Sequence, residues 1–296
     1  MSAELAGRSV VVTGASRGVG RAFALALADA GARLVINGRD ADALDSLAED
    51  LRGRAAEVVS VAGSVAETDV ARSLIQRCVS SFGRVDALIN NAGIVRDRTT
   101  LKMSPDEFDD VIAVNLGGAW RCGRFAAEAM RETGGGSIIN IVSEVAFYGA
   151  VGQSNYAASK AGLVALTVEW ALELGRYGIR ANAVSPAALT DMSAVVLRRA
   201  SDAARAAGQP APDPRGLGIG MPDEIAPLIL YLASDRSAEV TGQVFSFNGR
   251  DVGVWSHPHT ASVLHAPGWS PQAFDDAVAG GRLTFQATHI PNWMPT

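Results

Sequence analysis

Tyr156 and Lys160 stand four residues apart in Tyr156-Ala157-Ala158-Ser159-Lys160, and Ser143 lies thirteen positions upstream at the end of an apolar run. On a helix, residues i and i+4 share a face, so the phenol and the ammonium can project into one cavity. A free tyrosine ionises near pH ~10, so holding it as phenolate at neutral pH costs roughly 4 kcal/mol at about 1.4 kcal/mol per unit. A lysine about 4 Å away, at an effective dielectric of about 20, supplies roughly that much. The chemistry expected is proton transfer by a tuned phenol, which complements hydride transfer at a carbonyl. Taken alone, Tyr-x-x-x-Lys is more often an exposed helical pair, and its weight comes from its company in the chain.

That company begins with Thr13-Gly14-Ala15-Ser16-Arg17-Gly18-Val19-Gly20, which follows an apolar run directly and opens a helical pattern. Glycine permits a tight strand-to-helix turn and lets backbone approach a pyrophosphate, which the helix N-terminus then faces. A lone Gly-rich turn is more often a plain loop. Its place between the first strand and first helix raises it to a dinucleotide site. At the end of the second apolar run stand Gly38 and Arg39. An acidic residue there would favour NAD, whereas Arg39 and Arg17 can fork onto the extra phosphate of NADP. NADP(H) is the cofactor expected, with NAD(H) left open. Each arginine taken singly reads as a solvated charge, and Asp40 next door opposes them.

Apolar runs of four to six residues alternate with longer amphipathic stretches. Strands are predicted over 9–13, 33–37, 56–61, 87–90, 137–142, 180–184 and 243–247, and helices over 18–30, 41–52, 67–82, 105–131, 155–177 and 222–233. Seven strands separated by helices imply βαβ units and a Rossmann-type, doubly wound, seven-stranded parallel sheet with helices on both faces. The chain divides in this reading into a catalytic unit, 1–247, and an extension, 248–296. Within the first, residues 187–221 carry an Ala/Arg-rich helical piece and a Pro/Gly-rich stretch that suit a substrate flap.

Composition narrows the function. The 296 residues are 48% hydrophobic and 19% charged, ample for a large core, and the net charge of −5 offers no footprint for nucleic acid. Cys78 and Cys122 are too few for a disulfide framework or a metal cluster. No run approaches the roughly 20 apolar residues of a membrane helix, so a cytoplasmic protein without a membrane partner is expected.

Jointly, the glycine loop, Asn90-Asn91-Ala92-Gly93, Asn115, Ser143 and Tyr156-x-x-x-Lys160 resemble the classical short-chain dehydrogenase/reductase family from about residue 5 to 247. The resemblance implies that Tyr156 is the general acid/base and that Lys160 lowers its pKa and holds the nicotinamide ribose. It makes Ser143 the donor that orients the carbonyl, and Asn115 the holder of a water linking Lys160 to solvent. Asn91, Ala92 and Gly93 line the cofactor's ribose in this scheme, while Asn90 ties the loop to its neighbours. Gly14, Ser16, Arg17, Gly18, Val19, Gly20 and Arg39 complete the cofactor set with Ser64, Val65, Pro186 and Thr190. Ser64-Val65 replaces the family's Asp-Val or Asn-Val, Pro186-Ala187 replaces Pro-Gly, and Thr190 arrives one position early. The family's habit of pairing its long fourth and fifth helices implies a homo-oligomer, a tetramer or a dimer.

The extension, with all four histidines and three of the five tryptophans, is similar to that of the dehydrogenase part of multifunctional β-oxidation enzymes and related acyl-thioester reductases. Ser270-Pro271 and Gly280-Gly281 bound a short helix in it. Trp255, Trp269, Phe274, Phe285 and Trp293 supply apolar surface there, for the chain's own groove or a neighbouring subunit. His257-Pro258-His259 lacks a carboxylate partner and is read as a loop, with no metal. The expected activity is reversible reduction of a ketone, a 3-oxoacyl thioester or similar, to the alcohol. The competing readings are a non-catalytic nucleotide sensor or scaffold, and an epimerase or dehydratase that retains its nicotinamide cofactor.

Overall fold

The computed structural model describes residues 4–54, 56–189, 194–206, 208–258, 260, 263–265 and 268–282. By internal contacts the chain divides into two compact units, Met1–Trp255 and Ser256–Thr296.

In the first unit the chain runs β1 (Ser9–Val12), α1 (Gly18–Asp29), β2 (Arg33–Gly38), α2 (Ala41–Gly53), β3 (Val58–Ala62), α3 (Thr68–Phe82) and β4 (Ala87–Asn90). It continues through α4 (Pro105–Val111), a π-helical segment Ile112–Gly118, α5 (Ala119–Glu132), β5 (Gly136–Ile141), α6 (Val145–Tyr148) and α7 (Ser154–Leu174). Then come β6 (Ile179–Pro186), α8 (Ala194–Ala206), α9 (Ala226–Ala233), β7 (Val244–Phe247) and β8 (Val252–Val254). The strand order is β3-β2-β1-β4-β5-β6-β7-β8, with every pair parallel except β7·β8.

The two-sided sheet follows from its continuous apolar strands. Val10, Val12, Leu34, Ile36 and Ile89 pack one face against Phe23 and Leu27 of α1, Leu44 and Leu47 of α2, and Ile229 and Leu232 of α9. Their alternate neighbours Val11, Val35, Leu88 and Ile138 pack the other face against Leu74 of α3, Phe125 and Met130 of α5, and Trp170 of α7. The period of two along each strand thus fills both layers. After β1 the chain moves outward to β2 and β3, and it re-enters on the opposite side at β4. A crevice therefore opens beyond the carboxyl ends of β1 and β4.

The sheet has an eighth strand where seven were expected, and it is antiparallel. Asn248 Oδ1 accepts from Arg250 N (3.0 Å) and Asp251 N (2.8 Å), Gly249 takes φ 89°, and the chain reverses to lay Val252–Val254 against β7. Three residues after a polar turn carry too little periodicity to be read as a strand. The helix expected over 105–131 is interrupted by the π-helical segment, and α6 was not foreseen. The ends of the segment expected to be a flap are tied together, with Leu189 N donating to Gly220 O (2.8 Å) and Gly220 N to Ala187 O (2.9 Å).

In the second unit α10 (Pro271–Ala279) begins as its local signals predict, with Ser270 Oγ accepting from Ala273 N at 3.2 Å. Trp269 stacks on Phe274, their ring centroids 4.6 Å apart. His259, Phe285 and Trp293 lie outside the described residues.

Candidate active site

The loop from β1 to α1 is built by contacts that exclude side chains. Gly14 has φ 62°, and a Cβ on it would stand 2.7 Å from Ala92 Cα. At Gly20 an added Cβ would meet Gly14 O at 2.3 Å and Asn91 Nδ2 at 2.4 Å. Asn91 Nδ2 donates to Thr13 O (3.0 Å) and Gly14 O (2.9 Å), while Thr13 Oγ1 accepts from Asn91 N and Ala92 N, both at 3.0 Å. Tying the glycine loop to its neighbour thus falls to the side chain of Asn91. That of Asn90 serves the core instead, donating to Asn140 Oδ1 (2.9 Å) and Ala119 O (3.2 Å).

Beside this loop lies a cavity of about 630 Å³ bordered by Gly14, Ser16, Arg17, Gly18, Val19, Gly20, Arg39, Ser64, Val65, Asn91, Ala92 and Gly93. Four segments remote in sequence therefore meet as the glycine loop implies. Arg17 and Arg39 are both exposed, and neither makes an ion pair among the described residues. Asp40, which seemed to oppose them, N-caps α2 by accepting from Ala43 N at 3.1 Å. Pro186 ends β6, and Thr190 lies outside the described residues.

Ser143, Tyr156 and Lys160 form a second cluster. Lys160 is buried, its Nζ donates to Ile141 O at 2.6 Å and stands 5.6 Å from the centroid of the Tyr156 ring. Burial pulls its pKa down to about 8. Tyr156 is pushed up to about 12, chiefly by burial, with a hydrogen bond from Ser143 acting in the opposite direction and the nearby Asp97 carboxylate adding to the rise. The expectation that the ammonium holds Tyr156 as phenolate is therefore corrected for the protein alone. Removing a phenolate from water costs more than the lysine returns, because the lysine's own charge is disfavoured by the same burial.

Asn115 joins the two clusters. It lies in the π-helical segment, a distortion often found where a helix positions a functional group. Its Nδ2 donates to Ile94 O (3.0 Å) and Ser159 Oγ (3.2 Å), and its Oδ1 accepts from Ile94 N at 2.8 Å. Ile94 borders the cavity and Ser159 precedes Lys160. Both amide N–H bonds are committed to protein, so a water held by this side chain would donate to the second lone pair of Oδ1.

Sequence reading passed over Asn155. It is buried, its Nδ2 donates to Arg96 O and Glu107 O, both at 3.0 Å, and its Oδ1 accepts from Tyr156 N at 2.7 Å. The carboxamide locks the start of α7 to α4 and to the loop after β4. A polar residue at the head of a helix is usually a solvated cap, and nothing local distinguished this one.

The model of the family described as short chain dehydrogenase matches residues 8–200. The chain is 41% identical over 283 residues to the hydroxyacyl-CoA dehydrogenase ChsB1 of Mycobacterium tuberculosis, covering 90% of this chain and 86% of that protein. It is 38% identical to the 3-oxoacyl-[acyl-carrier-protein] reductase FabG of Thermotoga maritima, covering 83% of this chain and 98% of that one. Among solved structures, a short chain dehydrogenase from Mycobacterium avium superposes with a TM-score of 0.78 at 35% identity, covering 94% of this chain and 95% of that one. The chain belongs to the short-chain dehydrogenase family, and it is an oxidoreductase acting on CH–OH/C=O groups.

Proposed function

We propose that this chain is an NADP(H)-dependent reductase of 3-oxoacyl thioesters or similar ketones, with Tyr156 as general acid/base. The observation that carries this reading is the buried ammonium of Lys160 standing 5.6 Å from the centre of the Tyr156 ring, with Ser143 close enough to act on the phenol against the effect of burial. Asn115 links that cluster to the cavity bordered by the glycine loop. The fit to a dinucleotide rests on the two glycines that admit no Cβ, and the preference for the 2′-phosphate rests on the exposed Arg17 and Arg39, which make no ion pair among the described residues. The substrate class rests on the relatives, one named for a hydroxyacyl-CoA and the other for a 3-oxoacyl group on acyl-carrier protein.

When bound, reduced nicotinamide supplies the hydride. Tyr156, kept as a phenol by burial, gives its proton to the carbonyl oxygen as negative charge develops there. Ser143 donates a hydrogen bond to the same oxygen. Lys160, charged below about pH 8, stabilises the phenolate left behind, and Ile141 O fixes its position. Reduction therefore calls for a protonated tyrosine beside a protonated lysine, and its rate is expected to fall as pH rises through about 8.

The same proposal places the enzyme in the cytoplasm as a homo-oligomer, a tetramer or dimer. Its support is the apolar surface on α4, α5 and α7, where Phe108, Trp120 and Leu172 are exposed. Among the described residues no helix is long and apolar enough to cross a membrane.

The test is a panel of 3-oxoacyl-CoA esters and simple ketones followed at the nicotinamide absorbance, with NADPH and NADH in parallel. Steady NADPH oxidation is expected, and Tyr156→Phe should lower turnover by about 10²–10⁴-fold with NADPH affinity unchanged. Product formation without net cofactor change would instead favour an epimerase or dehydratase, and undiminished turnover in Tyr156→Phe would remove the tyrosine from the mechanism.

A further inference from the structure

Trp255 directly follows β8, the strand the sequence did not disclose. Its backbone N donates to Val244 O at 2.9 Å, which pins it to β7 just past the last residue of β8. Its ring packs against the cluster of Ala119, Val142, Leu163, Ala183 and Val244. One face stacks on Phe147, ring centroids 4.0 Å apart and planes inclined by 14°, and Tyr148 meets it edge-on at 5.3 Å. Phe147 and Tyr148 are the last two residues of the one-turn helix α6.

A one-turn helix cannot hold itself, because nucleation fixes several residues for one or two hydrogen bonds. Yet α6 is what grips Ser143: Ala146 N donates to Ser143 O at 3.0 Å and Val145 N to Ser143 Oγ at 3.3 Å. The contacts thus run from the end of β8 through the indole to Phe147 and through α6 to the Ser143 hydroxyl, the group that acts beside Tyr156 in the proposed reaction. The indole N–H is buried without an acceptor among the described residues, so the ring contributes here through its faces. A phenyl ring would fill the stack without that unmet donor.

We infer that Trp255, delivered by β8, is a positioning residue for Ser143: by stacking on Phe147 it holds α6 and hence the serine hydroxyl in register with Tyr156. The inference rests on Ser143 being the donor to the substrate carbonyl, and it makes the sheet's antiparallel edge part of the reaction site. Stacked aromatic pairs contribute beyond their buried area, and small misplacements of an orienting group cost rate rather than cofactor binding.

The experiment combines kinetics with acetoacetyl-CoA and NADPH, and hydrogen exchange of the amides of Val145 to Gly149. Trp255→Ala should lower kcat by about 10-fold with NADPH affinity unchanged, and Trp255→Phe should restore most of it. Phe147→Leu, which removes the stack from the other side, should reproduce the loss and serves if Trp255→Ala folds poorly. Added to Ser143→Ala, Trp255→Ala should slow the enzyme by no more than about twofold further, since the two act through one hydroxyl. Exchange in α6 should quicken in Trp255→Ala and return in Trp255→Phe. Multiplicative losses in the double variant, or α6 exchange unaltered by Trp255→Ala, would overturn the inference. If the wild-type protein reduces no ketone, the functional reading fails, while the exchange result still decides whether Trp255 holds α6.

Discussion

The two halves of the site are made by different means. Around the glycine loop, geometry is set by backbone and by the absence of side-chain atoms, as Gly14, Gly20 and the Asn91 carboxamide leave no slack. Its charged groups, Arg17 and Arg39, stay in water. Around Tyr156 the reverse holds, because the reactive groups are side chains, a buried Lys160 beside a half-buried Tyr156, and desolvation pushes both away from their charged forms. The first half is a shape, and alterations there should change binding. The second is an electrostatic balance held against folding stability, where alterations should change rate and stability in opposite directions.

The sharpest way to break this contrast is Lys160→Met. Turnover should fall by about 10²-fold or more, since the phenolate loses its neighbouring cation. Stability at pH 7 should nevertheless rise, by up to about 3 kcal/mol, because the shift from 10.5 to about 8 measures the cost of the buried charge. The sign follows from proton counts. Below about pH 8 the lysine is charged in both folded and unfolded chains, and the burial penalty is complete. Between about 8 and 10.5 the unfolded chain binds the extra proton, so wild-type stability climbs with pH across that window. Denaturant midpoints at pH 7 and 10 check this: the gap between variant and wild type should narrow at the higher pH, and a variant less stable at pH 7 would contradict the balance described.

Gly20→Ala probes the other half. Its Cβ must displace Gly14 O or the Asn91 amide, overpacking that costs about 1–3 kcal/mol, so NADPH affinity should drop by roughly 10-fold or more. Fluorescence titration reads it directly, and turnover at saturating NADPH should recover. A smaller effect is expected at the rim, where Arg39→Asp should move the preference toward NADH by about 10-fold. Parallel kinetics with both nucleotides measure the ratio, and an unchanged ratio would assign the phosphate to Arg17.

Much of this was legible in the residues. Alternation of short apolar runs with amphipathic stretches gave the doubly wound sheet, and seven strands and the helices that join them lie close to where they were read. The glycine loop and Tyr156-x-x-x-Lys160 came from spacing. What escaped were pieces too short for periodicity: β8, α6 and the π-helical insert in the helix over 105–131. Asn155 escaped with them, and Trp255 was read as apolar surface without its partner Phe147, because a buried carboxamide and a solvated one look alike in a sequence, and the partner of an indole is not written beside it.

By itself the sequence determined which groups share a helix face, where the backbone can turn without a Cβ, and which side chains carry the chemistry, since each is a property of a short stretch. Only the tertiary structure decided that burial raises the pKa of Tyr156 and lowers that of Lys160, that Asp40 is taken up by α2, and that the last strand reaches back to the segment after Ser143. Desolvation and stacking depend on every neighbouring atom, and those atoms come from segments far apart along the chain.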